Sequence, residues 1–197
     1  MTKKHLSALS GLIGLALVMR FFSFFPSVIN HDESTYILIA EGLLKGKVYF
    51  KDYIDTKPIG IFLLYAGFLK IISGITAIRI FTALWIGLTA WVLYLAKLRL
   101  GSDAKAAKAA GVIYIFLTSI FTFYGVAPNT ELYYCLFTSL ALWLVSGSAT
   151  TPAWVLAGLS LGLGFMLKYV VVFDAAALGL FLWWRQAQFK SGWPVFW

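Results

Sequence analysis

Five of the chain's eight carboxylates, Asp32, Glu33, Glu41, Asp52 and Asp55, fall in one stretch, HDESTYILIAEGLLKGKVYFKDYIDTKP, from His31 to Pro58. Asp32 and Glu33 follow directly on a long apolar run. Asp32 is either a helix cap with Glu33 as its first-turn dipole partner, or a general base. Lys57, in DTKP, is either an ordinary interfacial lysine or a cation for a bound anion. Glu131, in APNTELYY, either caps a helix start or adds a second acid to the same water-facing region. Lys168 is harder to treat as bland. It sits in the middle of an apolar tract, where an ammonium at the bilayer centre costs about 2.5–3.5 kcal/mol on insertion scales. It needs an anionic partner, and Asp174, Glu131 or a ligand phosphate could each serve. Asp174 lies six residues on, off the face that an i+4 partner would share.

The elements that must position these groups are apolar helices. A membrane span takes about 20 mostly apolar residues. Leu6–Phe25 meets that length and reads as a retained signal anchor, with a basic start and no small-x-small cleavage site. Arg20 near its end is expected to snorkel to the headgroups, and Arg79 likewise in the first turn of the next span. Further spans are expected at Ala77–Ala96, Ala109–Val126 and Glu131–Val145. The tract from Ala153 to Trp184 is too long for one span and reads as two short helices meeting near Lys168. Within it, GLSLGLG (Gly158–Gly164) suggests a close helix-packing surface. These segments predict an all-α, polytopic transmembrane bundle of about six membrane helices, two of them short.

Lys57–Gly74 is the ambiguous piece, and charge placement decides it. If it does not cross, Lys3, Lys4, Lys97, Arg99, Lys105, Lys108, Arg185 and Lys190 share one side, with only Asp103 as an acid there. The positive-inside rule favours that arrangement, with an interfacial or re-entrant helix starting at Pro58. Residues 27–76 then form an outer loop on the same face as APNTE, the N-terminus faces the cytoplasm, and the topology brings Asp32, Lys57, Glu131 and Lys168 to one membrane face. In the loop, Ser34–Lys45 is expected as an amphipathic surface helix. Tyr36, Ile39, Ala40, Leu43 and Leu44 share its apolar face, Asp32 or Ser34 caps it, and Gly46 takes the left-handed position at its end.

Composition sets the class. The chain is 61% hydrophobic and 12% charged, against about 25% charged in soluble domains. Its formal charge of +8 is scattered between apolar runs, which excludes a nucleic-acid stripe. Two histidines and one cysteine give no zinc spacing, so no metal is indicated, although HDE could join a divalent site from an extended loop. Cys135 stands alone in an apolar run and excludes an internal disulfide. No Walker loop, dinucleotide fingerprint or nucleophile elbow occurs. The ending SGWPVFW reads as the opening of another apolar segment, and hence of a truncated polypeptide.

With these residues in place, the chain resembles the membrane-embedded C-type glycosyltransferases, in the aminoarabinose- and mannosyltransferase-like branch that includes protein O-mannosyltransferase relatives. The likeness rests on Asp32–Glu33 after the first span, Tyr36 in a surface helix, Lys57–Pro58 before an apolar helix, NTELYYCLFTSLALWL, and GLSLGLGFMLKYVVVF. It covers most of the chain, which would be the N-terminal membrane domain of such an enzyme. The resemblance implies inverting transfer of a sugar from a polyprenyl-phosphate-linked donor to a glycan, lipid or protein acceptor, at the outer face of a bacterial inner membrane. Asp32, with Glu33 beside it, would be the catalytic carboxylate. Lys57 and Lys168 would hold the donor phosphate, and Glu131 would line the acceptor side. The alternative is a non-enzymatic membrane module, a transporter or assembly fragment, in which Lys168 and Asp174 pair for structure.

Overall fold

The computed structural model describes residues 3–27, 29–120, 125–147 and 150–191, with side chains through 184. The helices are α1 (Lys3–Met19), α2 (His31–Leu44), α3 (Ile59–Ile71), α4 (Ile75–Arg99), α5 (Ala104–Leu117), α6 (Thr130–Gly147), α7 (Thr151–Leu167) and α8 (Val171–Ser191). A 3-10 turn, Phe21–Phe24, follows α1. Among the described residues there is no strand beyond an isolated bridge between Tyr49 and Tyr53. The protein is all-α.

Among the described residues one helix, α4, is long and apolar enough to cross a membrane; its 25 residues reach about 37 Å. α3 and α7 are apolar but shorter, as is the Val171–Trp184 part of α8. Several expected boundaries move. The first apolar run is helical only to Met19, because the chain tightens into the 3-10 turn. The segment expected over Ala109–Val126 is helical earlier, over Ala104–Leu117. Asp103 caps its start by accepting from the Ala106 N–H at 2.7 Å. It ends where Arg20 takes the Thr118 carbonyl. SGWPVFW lies, beyond Ser191, outside the described residues.

α4 is the central post. α1 and α5 pack on one side of it through Leu12, Ala16, Ile86, Ala90, Tyr94 and Ile115. Small residues allow the approach: a Cβ on Gly87 would sit 2.7 Å from the Ile13 Cα, and one on Gly111 2.9 Å from the Ala90 carbonyl oxygen. On the other side, α2, α3, α6 and α7 meet α4 around Tyr36, Phe62, Tyr65, Ile78, Tyr133 and Leu167. α2 buries its apolar face chiefly against α3 rather than lying free; Tyr36, Ile39 and Ala40 are buried, whereas Leu44 at its end stays exposed.

The glycine-rich tract of α7 packs differently from expectation. Gly158 and Gly162 face open space, and only Gly164 meets a neighbouring helix, at Phe137. The face turned to α6 is Ala157, Ser160, Gly164 and Leu167, which the 3.6-residue period separates from Gly158 and Gly162. Ser160 closes that contact by donating to the Phe137 carbonyl at 2.8 Å.

Candidate active site

Four charged side chains from four segments line one cavity of about 340 Å³: Asp32, Lys57, Glu131 and Lys168. Asn129 and Thr130 complete its polar wall. Lys57 Nζ stands 4.0 Å from Asp32 Oδ2, and Lys168 Nζ is in direct contact with Glu131 Oε1. The cavity thus holds two ammonium–carboxylate pairs. The partner of Lys168 is Glu131; the Lys168–Asp174 pair is not formed. Asp174 belongs instead to a separate apolar groove with Thr138, Leu161 and Phe181, because it stands in the first turn of α8, past the break that holds Lys168.

Each side chain is held by local geometry. Asn30 caps α2, accepting from the Asp32 N–H at 2.7 Å, so the helix starts three residues before the expected Ser34. The cap is Asn30 rather than Asp32 or Ser34, which leaves the Asp32 carboxylate free to face the cavity. Tyr36, one turn on, donates to Asp32 Oδ2 at 3.3 Å. Burial first, and the Asp32 charge second, push the Tyr36 phenol well above its ordinary pKa, so it remains a donor.

α2 closes with Gly46 at φ +83°. The Gly46 N–H bonds to Leu43 O and the Lys47 N–H to Gly42 O, the pairing of a Schellman stop. The loop that follows is pinned by Tyr49, whose hydroxyl donates to Asp55 O at 3.0 Å and Lys57 O at 2.6 Å. Asp55 Oδ1 takes the Lys57 N–H at 2.9 Å. Lys57 therefore projects from a fixed turn.

Lys168 sits in the break between α7 and α8, in extended conformation (φ −155°, ψ 131°). α3 starts against this break, since a Cβ added at Gly60 would run into the Met166 carbonyl. That approach brings Lys57 and Lys168 to the same cavity. The turn before α6 is held from two directions. Tyr65 donates to Pro128 O at 2.5 Å, and Arg20 donates to Gly125 O and Val126 O, each at 2.5 Å.

Glu33 does not face the cavity. It is 0% exposed and receives Arg79 Nε at 2.7 Å and Nη2 at 2.8 Å. Arg79 also donates to Ser23 O, at 2.9 Å, and to Pro26 O. Neither arginine snorkels. Arg79 is 0% and Arg20 2% exposed, because oxygens inside the protein draw them in: the Glu33 carboxylate and the Ser23 and Pro26 carbonyls for Arg79, and the Thr118, Gly125 and Val126 carbonyls for Arg20. The Glu33–Arg79 fork was missed in the sequence. Its only signal was an arginine early in an apolar helix, and a partner 46 residues away leaves no local pattern. Tyr36 was legible as the i+4 neighbour of Asp32.

The cavity can hold an anion between two ammonium groups and present a carboxylate to a hydroxyl. Among the described residues no cluster of three or more histidine, cysteine or acidic side chains could hold a metal ion. The sequence model of a family described as dolichyl-phosphate-mannose-protein mannosyltransferase matches residues 56–196, more than two thirds of the chain. That range contains Lys57, Glu131 and Lys168 and begins after Asp32. No curated protein and no solved structure matches the chain.

Proposed function

The chain belongs to the dolichyl-phosphate-mannose-protein mannosyltransferase family, and from that membership we propose that it transfers a sugar from a polyprenyl-phosphate-linked donor to a hydroxyl-bearing acceptor, with inversion. The observation that carries the reading is the convergence of Asp32, Lys57, Glu131 and Lys168 on one cavity.

In this reading the donor phosphate enters between Lys57 and Lys168 and draws both ammonium groups from their carboxylates. The acceptor oxygen attacks the anomeric carbon, the bond from that carbon to the phosphate oxygen breaks, and the lipid phosphate leaves with the bonding electrons. The acceptor proton passes to Asp32. Positive charge develops on the sugar ring in the transition state, so a carboxylate on the attacking face lowers the barrier. Negative charge grows on the leaving phosphate, where the two lysines stabilise it. Tyr36 and Glu33 act through position: Tyr36 orients the Asp32 carboxylate, and the Glu33–Arg79 fork fixes the α2 start against α4. Glu131 holds Lys168 at rest and lines the acceptor side.

Membrane placement follows from charge. Lys3, Lys4, Lys97, Arg99, Lys105 and Lys108 occupy helix ends remote from the cavity, the arrangement of a multi-pass protein with that end in the cytoplasm. The cavity then opens at the outer face, where the chain's compact loops and lack of N-x-S/T sites suit a bacterial inner membrane.

The test is Asp32→Asn in the intact protein, with transfer from a polyprenyl-phosphate sugar measured beside donor binding. Loss of a general base slows turnover about 10²–10⁴-fold with donor affinity kept. Lys168→Met gives the complementary result, donor binding about 10- to 100-fold weaker. Wild-type turnover in Asp32→Asn would remove the mechanism.

A further inference from the structure

The cavity end of the helices buries one positive charge more than it neutralises. Arg20 is 2% exposed, and Arg79 and Glu33 are both 0% exposed. Glu33 is committed to Arg79 through both of its oxygens. Arg20 is met only by carbonyls, those of Thr118, Gly125 and Val126. Among the described residues it forms no salt bridge. Carbonyl dipoles satisfy N–H groups without cancelling a charge, and the α5 C-terminus adds at most about half an elementary charge of compensation. A desolvated cation in this state calls for an anion.

The donors for that anion are present. Arg20 Nε and the Ser119 hydroxyl are buried and, among the described residues, without a hydrogen-bond partner. Both residues line a second cavity of about 440 Å³, whose remaining wall includes Met19, Phe22, Pro26 and Ile29. Beside it the 3-10 turn exposes Phe22 at 82% and, just past its end, Phe25 at 69%, apolar surface suited to lipid contact. A buried cation, two idle donors and an apolar wall match a phosphate group carried on an amphiphile.

We propose that this second cavity binds a phosphate-type anion on Arg20 and Ser119, separately from the Asp32 cavity. Gly125 lines the Asp32 cavity and Val126 the second one, and Arg20 holds both carbonyls. An anion on Arg20 therefore steadies the wall shared by the two cavities.

The phosphate can come from a lipid headgroup or from solution, and the experiment separates the two. Thermal unfolding of the intact protein in neutral detergent is followed while phosphatidylglycerol, diacylglycerol or inorganic phosphate is added. Phosphatidylglycerol is expected to raise the Tm while diacylglycerol, with tails and no phosphate, does not. An equal response to inorganic phosphate assigns the site to the soluble ion. Ile29→Trp, which fills the cavity while keeping Arg20 and Ser119 in the chain, abolishes the response. Ser119→Ala shifts the half-saturating concentration upward at least tenfold. The Lys57→Met/Lys168→Met double variant keeps the wild-type response. The proposal is overturned if wild type does not respond, if diacylglycerol does as well, if Ile29→Trp responds like wild type, or if the lysine double variant loses the effect.

Discussion

Asp32 and Glu33 are neighbours of one chemical type with opposite environments. Asp32 is 43% exposed at its side chain and opens to the cavity, whereas Glu33 is sealed against Arg79. Helical geometry forces the split, since adjacent residues point about 100° apart. The two are therefore expected to fail differently. Glu33→Gln leaves Arg79 buried without its counter-charge and destabilises the fold by about 3–5 kcal/mol, the cost of breaking a buried pair from one side. Adding Arg79→Met recovers part of that loss, and thermal unfolding of the single and double variants measures it. Were Glu33→Gln to unfold like wild type while losing transfer, Glu33 would be a chemical group rather than a positioning one. Asp32, Lys57 and Glu131 were legible by type and by placement at an apolar boundary, and Lys168 by its place in the middle of an apolar tract. Which carboxylate faces which ammonium was not, because Glu131 and Lys168 are 37 residues apart and nothing in either segment names the other.

At the scale of elements, the contact between α3 and α7 sets the spacing of the two lysines. At Gly60 the helices come into backbone contact, against the Met166 carbonyl. A methyl there has no room, and backbone rather than a flexible side chain must give way. Gly60→Ala is expected to cost about 1–3 kcal/mol, the usual range for overpacking, and to weaken donor binding as Lys57 draws away from Lys168. Gly67, seven residues along the same helix, meets nothing within 4 Å. Gly67→Ala is accordingly neutral or stabilising by up to about 1 kcal/mol. Chemical denaturation of the two variants, paired with donor titration, checks the contrast. The apolar run after Pro58 and the break at Lys168 were both readable from the sequence. The Gly46 stop was readable too, and its φ of +83° bears it out; the ends set by Asn30 and Arg20 were not, because they are fixed through hydrogen bonds that composition does not record.

For the molecule as a whole, the direction of α3 decides the topology. It begins beside the α7 end and is followed after residue 74 by α4. The first turns of α4 are held to residues 23–33 through Arg79. Both ends of α3 thus lie at the cavity end, and its 13 residues, about 20 Å, fall short of a hydrocarbon layer of about 30 Å. Cysteine labelling in a Cys135→Ser background tests this in membranes. His31→Cys and Ser73→Cys are expected to react with an impermeant reagent from the same side, and Ser102→Cys from the other. Labelling of positions 31 and 73 from opposite sides would make α3 a span and reverse the order of every later segment.

Hydrophobic runs, helix breakers and the crowding of acids into one loop are local properties, and the sequence by itself determined what depends on them: an all-α chain, its apolar helices, and the residue types available for chemistry. The tertiary structure alone decided which charges meet. Ion pairs between segments dozens of residues apart depend on how helices pack, and packing is set by small-residue contacts such as Gly60 on Met166 and by buried forks such as Glu33 on Arg79. It also decided which arginines are buried. Whether a guanidinium reaches for lipid headgroups or for internal oxygens depends on where folded carbonyls lie, and a linear sequence does not carry that position.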